Sequence, residues 1–166
     1  VTILISGIIT LLSDYIMSVS GIVVAFLILL AIIMLGIIFD IIGMAVATAD
    51  EKPFHSMAAR KVPGAQEAIA LLRNAERVSS ICNDVVGDIC GVVSGSASAT
   101  IAALILANVE SGWPKAVSLV MSALVAGLTV GGKAIGKTIA VQSCTEIVHL
   151  VGRVIHGWNR FRKKKK

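Results

Sequence analysis

From Gly21 to Val46 the chain is an unbroken apolar run interrupted only by Gly36, Asp40 and Gly43. A helix of roughly 20 apolar residues crosses a hydrocarbon core of about 30 Å, and only helices and closed barrels satisfy their own backbone polar groups there. This segment therefore sets lipid, not water, as the solvent. Composition agrees, with 56% hydrophobic residues, 15% charged and a mean hydropathy of +0.89. Soluble domains carry ~25% charged residues, so this chain of 166 residues lacks the polar surface to cover a water-facing globule. The same figures exclude a disordered chain. Cys82, Cys90 and Cys144 lie inside apolar segments, which excludes a disulfide scaffold and makes them small buried hydrophobes.

Other stretches meet or approach the same length criterion. Val1 to Leu12 reads as the outer end of a span that begins upstream, with its loop at residues 1–20. A third segment runs from Val78 to Val109 and a fourth from Ala116 to Ala140. Between Lys52 and Arg77 the chain turns polar, and Pro63-Gly64 divides this stretch into a helical hairpin. After Ala140, Ile147, Leu150, Val151, Val154, Trp158 and Phe161 recur at three- and four-residue spacing, with His149, Arg153, His156 and Arg160 on the other side. That pattern predicts an amphipathic helix in the membrane interface over 141–166, with Trp158 and Phe161 at headgroup depth. The expected fold is thus an all-α membrane bundle: three spans within 21–140, a possible extra N-terminal helix, a hairpin at 52–77 and a C-terminal interfacial helix.

Net charge is +5, but its placement argues against nucleic acid as the partner. Most of the excess sits in Arg160, Arg162 and Lys163 to Lys166, directly after a membrane-length array, where it reads as an anchor to anionic lipid. Lys and Arg number five between Lys52 and Arg77 and seven after Ala140, against one in the loop Glu110 to Lys115. The excess of positive charge on the cytoplasmic side of membrane proteins then puts the hairpin and the C-terminus inside and the Trp113-Pro114 loop outside.

Ionisable groups within apolar spans carry the functional signal, because each costs on the order of 3 kcal/mol at a helix centre on insertion scales. Asp40 lies in the first long span, where it reads as a gating or ion-pair residue. Asp84 and Asp88, four apart and beside Asn83, could contribute to an oxygen site for a hard cation such as magnesium, which binds a few carboxylates and keeps part of its water. Lys133 and Lys137, also four apart, offer the competing reading of structural ion pairs. Small residues mark close helix approach in lipid: Gly87, Gly91 and Gly95 on one span, with Ser94, Ser98 and Ala102 nearby, and Gly127, Gly131, Gly132 and Gly136 on the next. They fit packing within one chain or a homodimer face. No phosphate loop, nucleophile elbow or acid–base pair in a soluble cleft is present, so an enzyme is not expected.

Three stretches resemble a known family. Thr48-Ala49-Asp50-Glu51, followed by His55-Ser56-Met57 and Arg60-Lys61, is similar to the Ser-x-Ser-Glu stretch of the CorB/CorC/CNNM (cyclin M) magnesium transporters. Leu72-Arg73-Asn74-Ala75-Glu76-Arg77-Val78-Ser79-Ser80 resembles that family's Leu-x-Asn-Pro-Glu-Arg-Phe-Leu-Ser, and Gly132-Lys133-Ala134-Ile135-Gly136-Lys137-Thr138-Ile139-Ala140 its Gly-Glu-Ile-Ile-Pro-Lys-Ser-Ile-Ala. Order and spacing match over residues 35 to 155. The resemblance implies a dimeric three-span domain with a belt of juxtamembrane helices and a polar cavity for dehydrated magnesium, in the plasma membrane of a bacterium. Thr48 and Asp50 fall on its serine positions, Glu51 on its acidic one and Asn83 near its asparagine. Lys133 stands where the family has a cavity glutamate, and Gly136 where it has proline. Asp84 and Asp88 could restore the carboxylates, with Lys133 as a gating or tethered cation. The chain reaches Lys166 without the family's paired CBS module, so regulation by nucleotide is not expected. The leading expectation is binding or transport of a divalent cation, with magnesium the ion; the alternative is a non-transporting membrane scaffold or subunit held by intramembrane ion pairs.

Overall fold

The computed structural model describes residues 7–11, 15, 22–108 and 114–163. Among them the chain is helical, with no strand. Helix α1 spans Ile22–Thr48, α2 Lys52–Ala59, α3 Ala65–Arg73 and α4 Ala75–Ser80. A π-helix over Ile81–Gly87 leads into α5, Asp88–Asn108, followed by α6, Pro114–Gln142, and α7, Cys144–Lys163. Among the described residues, three stretches are long and apolar enough to cross a membrane: Val23–Thr48, Ala75–Ile105 and Leu119–Gln142. The protein is an all-α membrane protein. The expected span at 1–20 lies mostly outside the described residues, as do Glu110 to Trp113 of the expected outer loop and the Lys164–Lys166 end.

Local chemistry sets where the first helices end. At the end of α1 the Thr48 hydroxyl donates to the Met44 carbonyl at 2.9 Å, and Asp50 Oδ1 accepts the Lys52 N–H at 3.2 Å as α2 begins. Pro53, in the first turn of α2, needs no intrahelical donor there. Between α2 and α3 the chain reverses through two left-handed residues, Lys61 at φ 57° and Gly64 at φ 89°. Gly64 is required twice over, since a Cβ there would also lie 2.6 Å from the Arg153 backbone nitrogen.

The chain forms two units. The first comprises the described parts of Val1–Ile38 and Val85–Ala134. Ala25, Leu29 and Ile33 of α1 pack with Ala97 and Ile101 of α5 and Val125 of α6. Helices approach closely at Gly36, where a Cβ would stand 2.9 Å from Cys90 Cβ, and at Gly132, where it would overlap the Ile37 side chain. Ser94 and Ser98 are buried, and their hydroxyls donate to the Gly91 and Gly95 carbonyls at 3.0 and 2.8 Å, so neither brings an unpaired donor into the core. The glycine ladders divide between two roles. Gly87 and Gly136 are buried, whereas Gly91, Gly95, Gly127 and Gly131 face no neighbour among the described residues.

The second unit comprises Phe39–Asp84 and the described part of Ile135–Lys166. Its core joins Ala45 and Val46 of α1, Phe54 of α2, Ala68 and Leu72 of α3, Ala140 of α6 and Val148 of α7. α3 lies against both α2 and α7. Gly152 of α7 meets the Gly64 carbonyl and Ala68 so closely that no side chain would fit. One turn on, His156 Nδ1 contacts Glu67 Oε1 at 2.7 Å. His156, expected on the free polar side of α7, is instead part of its packed face.

Candidate functional site

Three buried side-chain polar atoms lack a hydrogen-bond partner among the described residues: Asp40 Oδ2, Asn83 Oδ1 and His149 Nε2. All three belong to the second unit. An unpaired buried polar atom costs about 1–3 kcal/mol, and more when charged, so its persistence calls for an explanation.

Asn83 meets α1 at Gly43, one turn from Asp40. Asp40 precedes Gly43 by three residues on α1, which places both on one helical face, and Gly36 continues that face one turn earlier. Asn83 sits in the π-helix with its amide directed onto Gly43. A Cβ at Gly43 would overlap Asn83 Oδ1 and stand 2.9 Å from its Cγ and 3.0 Å from Cys82 Cβ. The Asn83 amide nitrogen donates to Ser79 Oγ at 3.2 Å, which fixes the amide and leaves its oxygen facing α1. Asp40 is 6% exposed. Thr48 is eight residues further along α1, so about 12 Å of helix separates Asp40 from that end. Asn83 is also eight residues inside its span, counted from Ala75. By residue count the two side chains therefore sit at comparable depth, with Asn83 seated on α1 at Gly43, one turn from Asp40. Short π-helical insertions often occur at functional sites because they rotate side chains out of the regular α phase.

The remaining candidate residues lie elsewhere. Asp84, next to Asn83, is exposed, and so is Lys137 of the same unit; no ion pair joins them among the described residues. In the first unit Asp88 is exposed and Lys133 half-buried, again without an ion pair between them. The expected aspartate–lysine glue is thus absent among the described residues within either unit. Nor do the residues carried over from the family resemblance aim inward. Thr48 and Asp50 are exposed, and the hydroxyl of one and a carboxylate oxygen of the other are engaged by nearby backbone, as described above. Glu51 Oε2 meets His55 Nε2 at 3.3 Å, one turn on. All three belong to the junction between α1 and α2. Among the described residues no group of three or more His, Cys, Asp or Glu side chains could hold a metal. What remains is one carboxylate and one amide oxygen, a donor set suited to a hard cation that retains water and lacking the His or Cys ligands that zinc sites are built around.

The sequence pattern marks Asn83 as a ligand and Asp40 as a gating or ion-pair residue, but does not itself show that Asn83 seats on Gly43, one turn from Asp40. The spacing of Gly36, Asp40 and Gly43 at i, i+4 and i+7 was the available signal. The Glu67–His156 contact, 89 positions apart, left no local trace. No family model, curated protein or solved structure matches the chain.

Proposed function

We propose that this membrane protein binds a divalent cation, magnesium by preference, within the bilayer and passes it across, with Asp40 and Asn83 as its first protein oxygens. One observation carries the reading: a buried carboxylate oxygen of Asp40 and a buried amide oxygen of Asn83 both lack hydrogen-bond partners among the described residues, and Asn83 seats on Gly43, one turn from Asp40. Magnesium is commonly held by one or two carboxylates and keeps several waters, so two protein oxygens suffice to start a site. The resemblance to the CorB/CorC/CNNM domain supports the same ion, with Asp40 about two to three turns deeper than Thr48, Asp50 and Glu51. No catalytic step is part of the proposal.

The same reading puts the hairpin and the C-terminus on the cytoplasmic face of a bacterial plasma membrane, with the basic tail against anionic lipid. It also pairs two copies of the chain. Only 11% of the third span is buried within one copy, and Gly91, Gly95, Gly127 and Gly131 present open faces. Such faces allow close backbone approach by another helix.

The test is magnesium flux into liposomes carrying the unmodified protein or Asp40→Asn. Flux in the first and none in the second is expected. Absence of flux and of binding in the unmodified protein, under any magnesium gradient, would remove the proposal.

A further inference from the structure

Helix α7 presents two opposed faces. Val148, Gly152 and His156 recur every four residues and form the face gripped by the second unit: Val148 is fully buried in the core, Gly152 abuts the Gly64 carbonyl, and His156 meets Glu67. Leu150, Val154 and Trp158 also recur every four residues, offset by two positions. At about 100° per residue that offset turns them to the far side of the helix. They are 63%, 64% and 74% exposed, an apolar ridge with nothing among the described residues covering it. Arg153 is exposed between the two faces, and the sequence continues with Arg160, Arg162 and four lysines.

An apolar ridge ending in tryptophan and followed by a dense cationic run matches an anionic bilayer surface, which offers acyl chains to one and headgroups to the other. A second copy of this chain would bring the same positive run against itself. The opposite face of α7 leads to the cation site. Val148 shares one packed cluster with Ala45 and Val46 of α1, and Ile41, Ile42 and Met44, the residues around Asp40 and Gly43, pack against that cluster. Packed interiors are dense and transmit displacement instead of absorbing it.

We propose that α7 docks along Leu150, Val154 and Trp158 on anionic lipid, and that this docking sets the affinity of the Asp40–Asn83 site for its cation. The inference rests on the proposed cation site and adds its regulation. Lipid can act only through a difference in its interaction with two states of the site. The ridge supplies the interaction, and the clamp of Gly152 and His156 on α3 carries it to the core.

The experiment uses the full chain in nanodiscs of phosphatidylcholine with or without phosphatidylserine, in a Trp113→Phe background so that Trp158 alone reports docking. Magnesium binding is measured by titration calorimetry. The expected result is a blue shift of Trp158 emission on adding phosphatidylserine, reversed by salt, with magnesium affinity higher on the order of tenfold. An anionic surface also concentrates magnesium on its own, so the decisive comparison is with Leu150→Ser/Val154→Ser. Both positions are exposed and the change leaves the core intact. This variant should keep the affinity seen in phosphatidylcholine and lose the gain beyond surface accumulation. Glu67→Ala should keep the fluorescence shift and lose part of the gain.

Equal gains in the unmodified protein and the ridge variant would overturn the proposal. So would a Trp158 shift that needs two copies per disc and ignores lipid charge, since the ridge would then belong to a second copy. Binding that Asp40→Asn leaves unchanged would defeat the cation site itself, and the regulation with it. A retained lipid-dependent shift of Trp158 would mark that failure as one of the site and not of the docking surface.

Discussion

Replacing Asp40 by Asn preserves shape and removes the charge, which makes it the sharpest test of why a carboxylate is kept 6% exposed with one oxygen unpartnered. If Asp40 served stability, its removal would destabilise, as it does when one member of a buried pair is lost, by about 3–5 kcal/mol. No such partner is present among the described residues. The variant should therefore be more stable than the unmodified protein in magnesium-free detergent, by about 1–3 kcal/mol. Magnesium should close or reverse this gap. A ligand at about 100 times its dissociation constant adds about 2.7 kcal/mol to a protein that binds it only when folded. At roughly 2–4 °C per kcal/mol for a chain of this size, the unmodified protein should gain about 5–10 °C in Tm and the variant nothing. Thermal melts followed by circular dichroism, with magnesium titrated against a chelator, give both numbers. A variant less stable without magnesium, or one with an undiminished magnesium response, would refute the reasoning.

The other expectations follow from the same contacts. Gly43→Ala places a methyl group on Asn83 Oδ1; overpacking of about 1–3 kcal/mol against about 1 kcal/mol of helix propensity leaves a net loss of about 0–2 kcal/mol and a reduced magnesium response, measured in the same melts. Gly64→Ala forces a left-handed residue and a clash with the Arg153 backbone, and should cost at least about 1–3 kcal/mol, with faster proteolysis of the hairpin. Asp84→Asn, at an exposed position, should leave stability within about 0.5 kcal/mol and keep the magnesium shift. Gly95→Leu fills an open face and should abolish cross-linking between copies in liposomes while leaving the melt of each copy unchanged.

The spans could be read from sequence because insertion into lipid leaves little freedom. An apolar run from Gly21 to Val46 becomes a helix at Ile22–Thr48, and the other two segments shift by only a few residues. The orientation of the polar groups was harder to read, and the π-helix at Ile81–Gly87 is a physical reason. Counting by four from Asp84 to Asp88 assumes an unbroken α-helical phase, which the wider turn resets within that interval. Asn83 then faces Gly43 while its neighbour Asp84 points out. The amphipathic pattern of α7 was legible as an apolar stripe. That its polar side also packs was hidden, because the grip comes from a glycine and from a glutamate 89 positions away.

The ionisable groups of the spans can be sorted by what each can reach. Lys137 lies five residues from the end of α6, about 8 Å of helix, and its long side chain can carry the ammonium to the headgroups. Asp88 is thirteen residues past the start of its span at Ala75, about 20 Å, exposed, and too short to reach either surface. Gly91 and Gly95 stand open beside it on the same helix. A lone copy would hold that carboxylate against lipid at a cost on the order of 3 kcal/mol, whereas a second helix seated on the glycines could bring it polar partners. Asp40 is withdrawn from lipid already and gains nothing of this kind from a second copy. The two aspartates thus make separable demands, one for a partner chain and one for an ion. Asp88→Asn should accordingly change the dimerisation constant in liposomes and leave the magnesium shift of the melt intact, the reverse of Asp40→Asn. If both substitutions moved both readouts together, the division of labour between them would be wrong.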